Sequence, residues 1–195
     1  MGGAGPSDVS DPITFRVWHA PLWYAGTRRP VRRHHDNRRS VGDGSPVATP
    51  VRGEITVVIA DDDDRVGSAV AGLLDQEPDF RVVGEAANGD DAVAAAREHR
   101  PALVLTDVRM PGGGPDLVRR LVALPHRPVV AGLSAQADPA TWTRVLAAGG
   151  SAYLLKGTVA GDLPVLLRRC MQGHLVVGVP GAADVLRRVL ASRQP

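Results

Sequence analysis

The sequence predicts an α/β fold built on a parallel sheet, and three observations support this prediction. Between residues 55 and 172, short apolar runs alternate with segments of helical periodicity. The apolar runs lack polar alternation, which is typical of strands buried on both faces. Four of the five runs end in a polar residue, as expected where open α/β sheets bind ligands. Strands that alternate with helices favour right-handed βαβ units.

The predicted elements follow one another along the chain. Strands are predicted at residues 55–60, 81–85, 102–106, 128–133 and 152–155. Helices are predicted after the four consecutive aspartates up to Pro78, and then at residues 89–99, 115–124, 138–148 and 158–172. Pro164 falls inside the last helix, where we expect a late start or a kink. Residues 174–179 are interpreted as irregular and residues 182–190 as a short amphipathic helix.

The chain divides into three predicted segments, which are a basic leader at 1–53, a folded domain at 54–172, and a linker with a short helix at 173–195. The leader has no sustained periodicity and a formal charge of +4, so we expect it to be disordered. Its arginine pairs and aromatic residues suit contact with nucleic acid, and a merely solvated segment is the alternative. Salt-dependent DNA binding with and without the leader would separate the two readings.

Composition indicates in which compartment the protein resides and argues against a membrane-spanning protein. The chain has 195 residues, of which 44% are hydrophobic, and no apolar run approaches the roughly 18–20 residues of a membrane span. The single cysteine, Cys170, excludes an internal disulfide and suits a reducing environment. We therefore expect a cytoplasmic protein without a membrane partner.

Polar residues at the strand ends form a candidate site. Asp61 and Asp62 follow the first strand, Asp107 the third, Ser134 the fourth and Lys156 the fifth. In a parallel sheet these ends share one edge, so the side chains converge. Clustered carboxylates repel one another and favour a hard divalent cation, Mg²⁺ above all. Lys156, the only lysine in the chain, is placed to pair with Asp107 or a phosphoryl oxygen, to which Ser134 is placed to donate.

Four strings give this set a family resemblance: ITVVIADDDD (55–64), LVLTDVRMPG (103–112), VVAGLSAQ (129–136) and SAYLLKGT (151–158). They resemble response-regulator receiver domains, and the resemblance covers about residues 55–172. It implies a flavodoxin-like fold, in which a doubly wound five-stranded parallel sheet of order 2-1-3-4-5 carries helices on both faces.

The resemblance also implies a role for each site residue. Asp107 corresponds to the phosphoacceptor, and Lys156 to the lysine that acts with it. Asp61 and Asp62 correspond to the acidic pair that holds Mg²⁺, with Asp62 the more direct ligand. The remaining implied roles are a Mg²⁺ ligand for the backbone carbonyl of Arg109 and a switch pair for Ser134 and Tyr153.

By resemblance, the protein accepts a phosphoryl group from a histidine kinase and hydrolyses it slowly, without being a conventional turnover enzyme. The output partner is unknown, and a homodimer is a further expectation. The chain resembles the NarL/LuxR subgroup, but only about twenty residues follow the fifth helix, so we expect no helix-turn-helix output domain. Gly113 and Gly114 replace the usual residues after the turn, and we expect them to loosen the loop beside Asp107.

Two alternatives remain open at this point. One is a pseudo-receiver that acts as an interaction module and is never phosphorylated. The other is a truncated transcriptional regulator whose arginine-rich leader binds nucleic acid.

Overall fold

One parallel sheet of six strands organises the described part of the chain. The structure is a computed structural model that describes residues 53–159 and 161–191, so the predicted leader lies outside the described residues except for Gly53. The strands are β1 (Ile55–Ala60), β2 (Phe80–Ala86), β3 (Leu103–Asp107), β4 (Val129–Ser134), β5 (Ala152–Leu155) and β6 (Val176–Gly178). Their order in the sheet is β2-β1-β3-β4-β5-β6.

Six helices cover the two faces of this sheet. They are α1 (Asp64–Leu74), α2 (Gly89–His99), α3 (Gly114–Val122), α4 (Pro139–Ala147), α5 (Leu163–Met171) and α6 (Ala182–Ala191). One buried cluster joins the sheet to α2, α3 and α4, and the first residue of α6 belongs to it. A second cluster, on the other face, joins the sheet to α1 and α5. None of the helices in the described residues is long and apolar enough to cross a membrane.

Local sequence sets the helix starts. The side chains of Asp63, Asn88 and Asp138 accept hydrogen bonds from the backbone N–H groups that open α1, α2 and α4. Pro164 lies in the first turn of α5, where a missing N–H leaves no intrahelical bond unmade. The expected late start is therefore confirmed, because α5 begins at Leu163 rather than at 158.

The predicted flavodoxin-like sheet is confirmed, and the structure adds one strand to it. The order 2-1-3-4-5 is present, with β6 parallel to β5 at its outer edge. The interpretation of residues 174–179 as irregular was wrong, since Val176–Gly178 forms a strand. A three-residue strand is too short to show the period-two pattern that identifies strands in a sequence.

The crossover to β6 has the opposite hand to the other crossovers. Both β3–α3–β4 and β5–α5–β6 advance in the same direction across the sheet, yet α3 and α5 lie on opposite faces. The connection through α1 advances the other way with its helix on the α5 face, so it shares the hand of the α3 connection. Roughly 98% of such crossovers are right-handed, so β6 is reached by the disfavoured route.

Arg168 ties α5 to the turn between α1 and β2. Its guanidinium donates to both oxygens of Asp79, at 2.8 and 2.6 Å, and to Glu77 at 2.5 Å. The same group lies over the ring of Phe80, 5.1 Å from the centroid. The hydrogen bond from Arg168 holds the pKa of Asp79 below its ordinary value of 3.8.

Arg168→Met should lower the free energy of unfolding by about 1–2 kcal/mol at neutral pH, since charge-assisted bonds are lost at a partly exposed site. A carboxyl whose pKa is lowered by folding adds stability above its unfolded pKa, and this is lost as the pH falls through the native pKa. The stability difference between parent and variant should therefore shrink below pH 3.8. Urea titrations across this range measure it. Arg169→Met is the control, because Arg169 forms no ion pair with a described residue; an equal loss there would contradict the prediction.

Candidate functional site

The carboxyl ends of four neighbouring strands meet at one edge of the sheet. Asp61 follows β1, Asp107 and Ser134 end β3 and β4, and Lys156 follows β5. The pairings β1·β3, β3·β4 and β4·β5 place these ends side by side. An open pocket at this edge is lined by Asp61, Asp62, Asp107 and Lys156. The predicted convergence of the strand-end residues is thus present in the structure.

One ammonium group is shared by two nearly buried carboxylates. Lys156 Nζ lies 2.6 Å from Asp61 Oδ2 and 2.9 Å from Asp107 Oδ2. The side chains of Asp61 and Asp107 are 2% and 8% exposed, whereas that of Lys156 is 20% exposed. Water therefore screens this trio weakly, and the lysine holds together two carboxylates that follow or end neighbouring strands.

The electrostatics of Lys156 favour its charged form. Burial alone would lower the pKa of the ammonium, but hydrogen bonds and charges from Asp61 and Asp107 outweigh burial and raise it above the usual lysine value. Lys156 is therefore a permanent cation at physiological pH. It serves as a fixed positive charge at the site and is unsuited to proton transfer.

Backbone N–H groups hold the carboxylates of Asp61 and Asp107 in orientation. Arg109 N–H donates to Asp107 Oδ1 at 2.8 Å, while Lys156 binds Oδ2. Asp63 N–H donates to Asp61 Oδ1 at 3.1 Å. Each carboxylate therefore has one oxygen on the backbone and the other on Lys156, and its plane is fixed before any ligand arrives.

The acidic residues fit a divalent cation. Carboxylate oxygens of Asp61, Asp62 and Asp107 lie within 4.8 Å of one another. Asp62 is exposed, and its side chain has no hydrogen bond or ion pair with another described residue. With Lys156 the three carboxylates carry a formal charge of −2, and oxygen ligands with this charge suit Mg²⁺. The Arg109 carbonyl remains a predicted ligand.

A chain of hydrogen bonds connects Ser134 with Tyr153 through Gln136. Gln136 N–H donates to Ser134 Oγ at 3.2 Å, and Tyr153 donates its hydroxyl hydrogen to the Gln136 carbonyl at 2.8 Å. Burial raises the pKa of the Tyr153 phenol, which keeps it protonated as a donor. The Gln136 side chain also accepts a bond from Arg109, at 3.1 Å. Gln136 was not predicted from the sequence, because an exposed glutamine two residues after a strand carries no recognisable pattern.

The loop after Asp107 is braced against the start of α2. Gly89 N–H donates to the Pro111 carbonyl at 2.8 Å. A Cβ atom added at Gly89 would lie 2.1 Å from the Gly112 carbonyl oxygen, so only glycine allows this approach. Gly113 N–H also bonds the Met110 carbonyl. The predicted loosening by Gly113 and Gly114 is opposed by these two backbone bonds, one to the start of α2 and one within the loop.

Comparison with known proteins identifies the family of this fold and site. The sequence profile described as "Response regulator receiver domain" matches residues 57–168. The chain belongs to the response regulator receiver family. The receiver is 36% identical to response regulator GacA of Pseudomonas protegens over 143 residues, which are 72% of the chain and 65% of GacA. It is 29% identical to transcriptional regulatory protein LiaR of Bacillus subtilis, over 69% of the chain and 64% of LiaR. It thus spans less than two thirds of both relatives.

Solved structures agree with the fold of the receiver. The signal receiver domain of NarL from Mycobacterium tuberculosis superposes with a TM-score of 0.60 at 28% identity, and the match covers 63% of this chain and 99% of that domain. The isolated REC domain of RcsB from Salmonella enterica serovar Typhimurium, in the presence of the phosphomimetic BeF₃⁻, gives a TM-score of 0.62 at 23% identity over 68% of this chain and 99% of its own. The second likeness concerns the fold alone.

Gly89→Ala should destabilise the receiver by about 1–3 kcal/mol, because the added methyl group must push the loop after Asp107 aside. The amide of Arg109 should lose protection from hydrogen exchange, since its bond to Asp107 depends on the position of this loop. Gly67→Ala in α1 is the matched control, because an added Cβ there has nothing within 4 Å. Denaturant titration and amide exchange measure the two effects, and similar behaviour of both variants would refute the bracing role.

Proposed function

We propose that this receiver accepts a phosphoryl group on Asp107 from a phosphohistidine of a partner histidine kinase, with Mg²⁺ held by Asp61, Asp62 and Asp107. One observation carries the proposal. The carboxylate of Asp107 ends a central strand, is oriented by Lys156 and Arg109 N–H, and faces an open acidic pocket. We place the reaction in the cytoplasm, which the lone unpaired cysteine suits.

In the proposed transfer, an oxygen of Asp107 attacks phosphorus and the bond from phosphorus to the histidine nitrogen breaks. The product is an acyl phosphate on Asp107, and the imidazole leaves as the other product. Later attack by water on phosphorus releases inorganic phosphate and restores the carboxylate. Because Asp107 is nearly buried and already fixed, the chain supplies orientation and electrostatics more than a general base.

The surrounding residues have distinct tasks in this step. Lys156 stays positively charged, so it stabilises negative charge that develops on the phosphoryl oxygens. Ser134 is buried beside the site, and its hydroxyl is placed to donate to a phosphoryl oxygen once it turns from Gln136. When bound, Mg²⁺ would neutralise negative charge on the phosphoryl group.

An apolar groove next to the acidic pocket suits a helix that presents the phosphohistidine. The groove runs between α1 and the start of α5 and is lined by Val66, Val70, Leu73, Val159 and Leu163. Its floor reaches Lys156, so a partner helix seated there would bring a histidine to Asp107. The output partner and a homodimer stay predictions. A pseudo-receiver is disfavoured, because it would not need the complete set of acids and lysine.

The deciding experiment is phosphotransfer from a small phosphodonor such as acetyl phosphate in the presence of Mg²⁺, followed by intact mass measurement. The parent protein should gain one phosphoryl group, and Asp107→Asn should gain none. Asp64→Asn is the matched control, because Asp64 is an exposed carboxylate in the first turn of α1. Failure of the parent to gain mass with donor and Mg²⁺ in excess would refute the proposed function.

Mg²⁺ affinity should fall at least about tenfold in Asp62→Asn, because a negative ligand becomes neutral while the fold is unaffected at this exposed position. Calorimetric titration of Mg²⁺ measures the affinity. Asp75→Asn is the control and should bind as tightly as the parent, since Asp75 is an exposed carboxylate at the far end of α1 and does not line the acidic pocket. Equal affinities in both variants would remove Asp62 from the site.

Lys156→Arg should fold and bind Mg²⁺ but respond poorly to phosphorylation. A single ammonium nitrogen now lies within 2.9 Å of both Asp61 and Asp107, and the wider guanidinium fork cannot take the same point. The cation would shift by about an ångström, which matters for oriented groups. Amide exchange over residues 138–148, with and without beryllofluoride as a phosphoryl mimic, measures the response. A full response in the variant would show that Lys156 contributes only its charge, and the prediction would be wrong.

A further inference from the structure

The last two elements lie directly over the strand that carries Tyr153. We call residues 176–191, which comprise β6 and α6, the C-terminal cover. β6 pairs in parallel with β5, so Val177 is the cross-strand neighbour of Tyr153 on the same face. Without the cover, β5 would be the edge strand of the sheet. The exposure of Tyr153 is 0%, and Val177 of β6 is one of the residues buried in the same cluster.

The cover shares its hydrophobic core with α4 and the switch tyrosine. Val177, Val179 and Ala182 belong to the same buried cluster as Tyr153 and Trp142. Val185 and Leu186 on α6 pack against that cluster while remaining partly exposed. Removing the cover would therefore expose apolar surface of β5, and this surface is closed in the present structure.

Val176 and Val177 of β6 are buried in the two cores, whereas the attachment of α6 is slight. β6 has three residues, and its ladder pairs three positions of β5. Among the described residues, α6 contacts the rest of the protein through a few side chains. Its backbone does not run close to another described helix or strand. Gly173 and Gly181, at φ +85° and +73°, flank β6 at its two ends. Segments with few buried contacts open at low free energy, and the disfavoured hand of the crossover adds to this tendency.

A short path leads from the phosphorylation site to the cover. The Ser134 hydroxyl is bonded to Gln136 N–H, and the Gln136 carbonyl accepts the Tyr153 hydroxyl. If Ser134 turns to donate to a phosphoryl oxygen, Gln136 loses one of its anchors. Tyr153 then loses a fixed partner for its buried hydroxyl, which is costly unless the ring moves. Val177 pairs with Tyr153 across the strands and lies in the same buried cluster, so a change in the position of the ring would alter the packing of β6.

We propose that the C-terminal cover is a phosphorylation-controlled latch over Tyr153, which loosens when Asp107 is phosphorylated and exposes the apolar face of β5. The inference rests on the proposed function, because Asp107 must accept the phosphoryl group. A tenfold rise in opening corresponds to a coupling free energy of only about 1.4 kcal/mol, which a three-residue ladder can supply. The output of the receiver is then a change in which part of its own chain occupies β5.

The test uses the full chain and amide hydrogen exchange over residues 176–191, with Mg²⁺ in the presence and absence of beryllofluoride. Exchange should rise about tenfold with the mimic, since the cover opens more often. Tyr153→Phe keeps the ring but removes the bond to Gln136, so it should bind the mimic and lose most of the rise. Thr158→Val, which also removes one side-chain hydroxyl near β5 but at an exposed position, should behave as the parent.

A second variant examines the cover without the mimic. Leu186→Asp places a charge on the packed side of α6, which is terminal, so the remaining fold should persist. Exchange of residues 182–191 should then rise about tenfold in the absence of beryllofluoride. Unchanged exchange in this variant would show that α6 is not held through this side, and the latch would be refuted.

The outcomes separate the latch from the proposed function. Phosphoryl uptake, seen by intact mass, without a rise in exchange at residues 176–191 would refute the latch and leave the proposed function standing. Failure of uptake would refute both. A rise of the same size in Tyr153→Phe would refute the route through Tyr153, and with it the latch as stated.

Discussion

The sharing of one ammonium by Asp61 and Asp107 is the interaction on which the geometry of the site depends. Lys156 lies at the end of β5, while its two partners follow β1 and end β3, so its side chain passes the end of β4 to reach them. Neighbouring strands are about 4.8 Å apart. The side chain of Lys156 has to cross more than one such spacing, which requires a long flexible side chain. The contact therefore requires all four strands to end at the same level. A register error in any of them would break it.

The site carries more negative than positive charge. One lysine cannot neutralise three carboxylates, and the remaining negative charge lies in a pocket open to solvent. Buried ion pairs are weak contributors to stability, because desolvation offsets much of the attraction. The trio is therefore better understood as a preorganised binding site than as a stabilising bridge. What stabilises the fold is the apolar core on both faces of the sheet, together with the bonds of Arg168 at the opposite end.

The sequence predicted the parts of the site that follow from one rule, that parallel strands share an edge for their carboxyl ends. Asp61, Asp107, Ser134 and Lys156 were found in this way, because each directly follows or ends an apolar run. Gln136 was not found, since its role depends on a backbone carbonyl that any residue could offer. The bracing role of Gly89 depends on a contact between backbones far apart in the chain. β6 was not predicted, because a strand of three residues is too short to show a local pattern.

The opposite hand of the last crossover has a consequence for the order of assembly. A strand that joins the sheet by the common route can dock together with its helix, because the twist of the strand directs the helix onto the sheet. β6 lacks that guidance. Its position at the edge is defined only after β5 is in the sheet and α5 has packed beside α1. The first five strands thus form a nucleus that can close without the sixth. We therefore expect β6 and α6 to be the last elements to join the fold and the first to fray in unfolding.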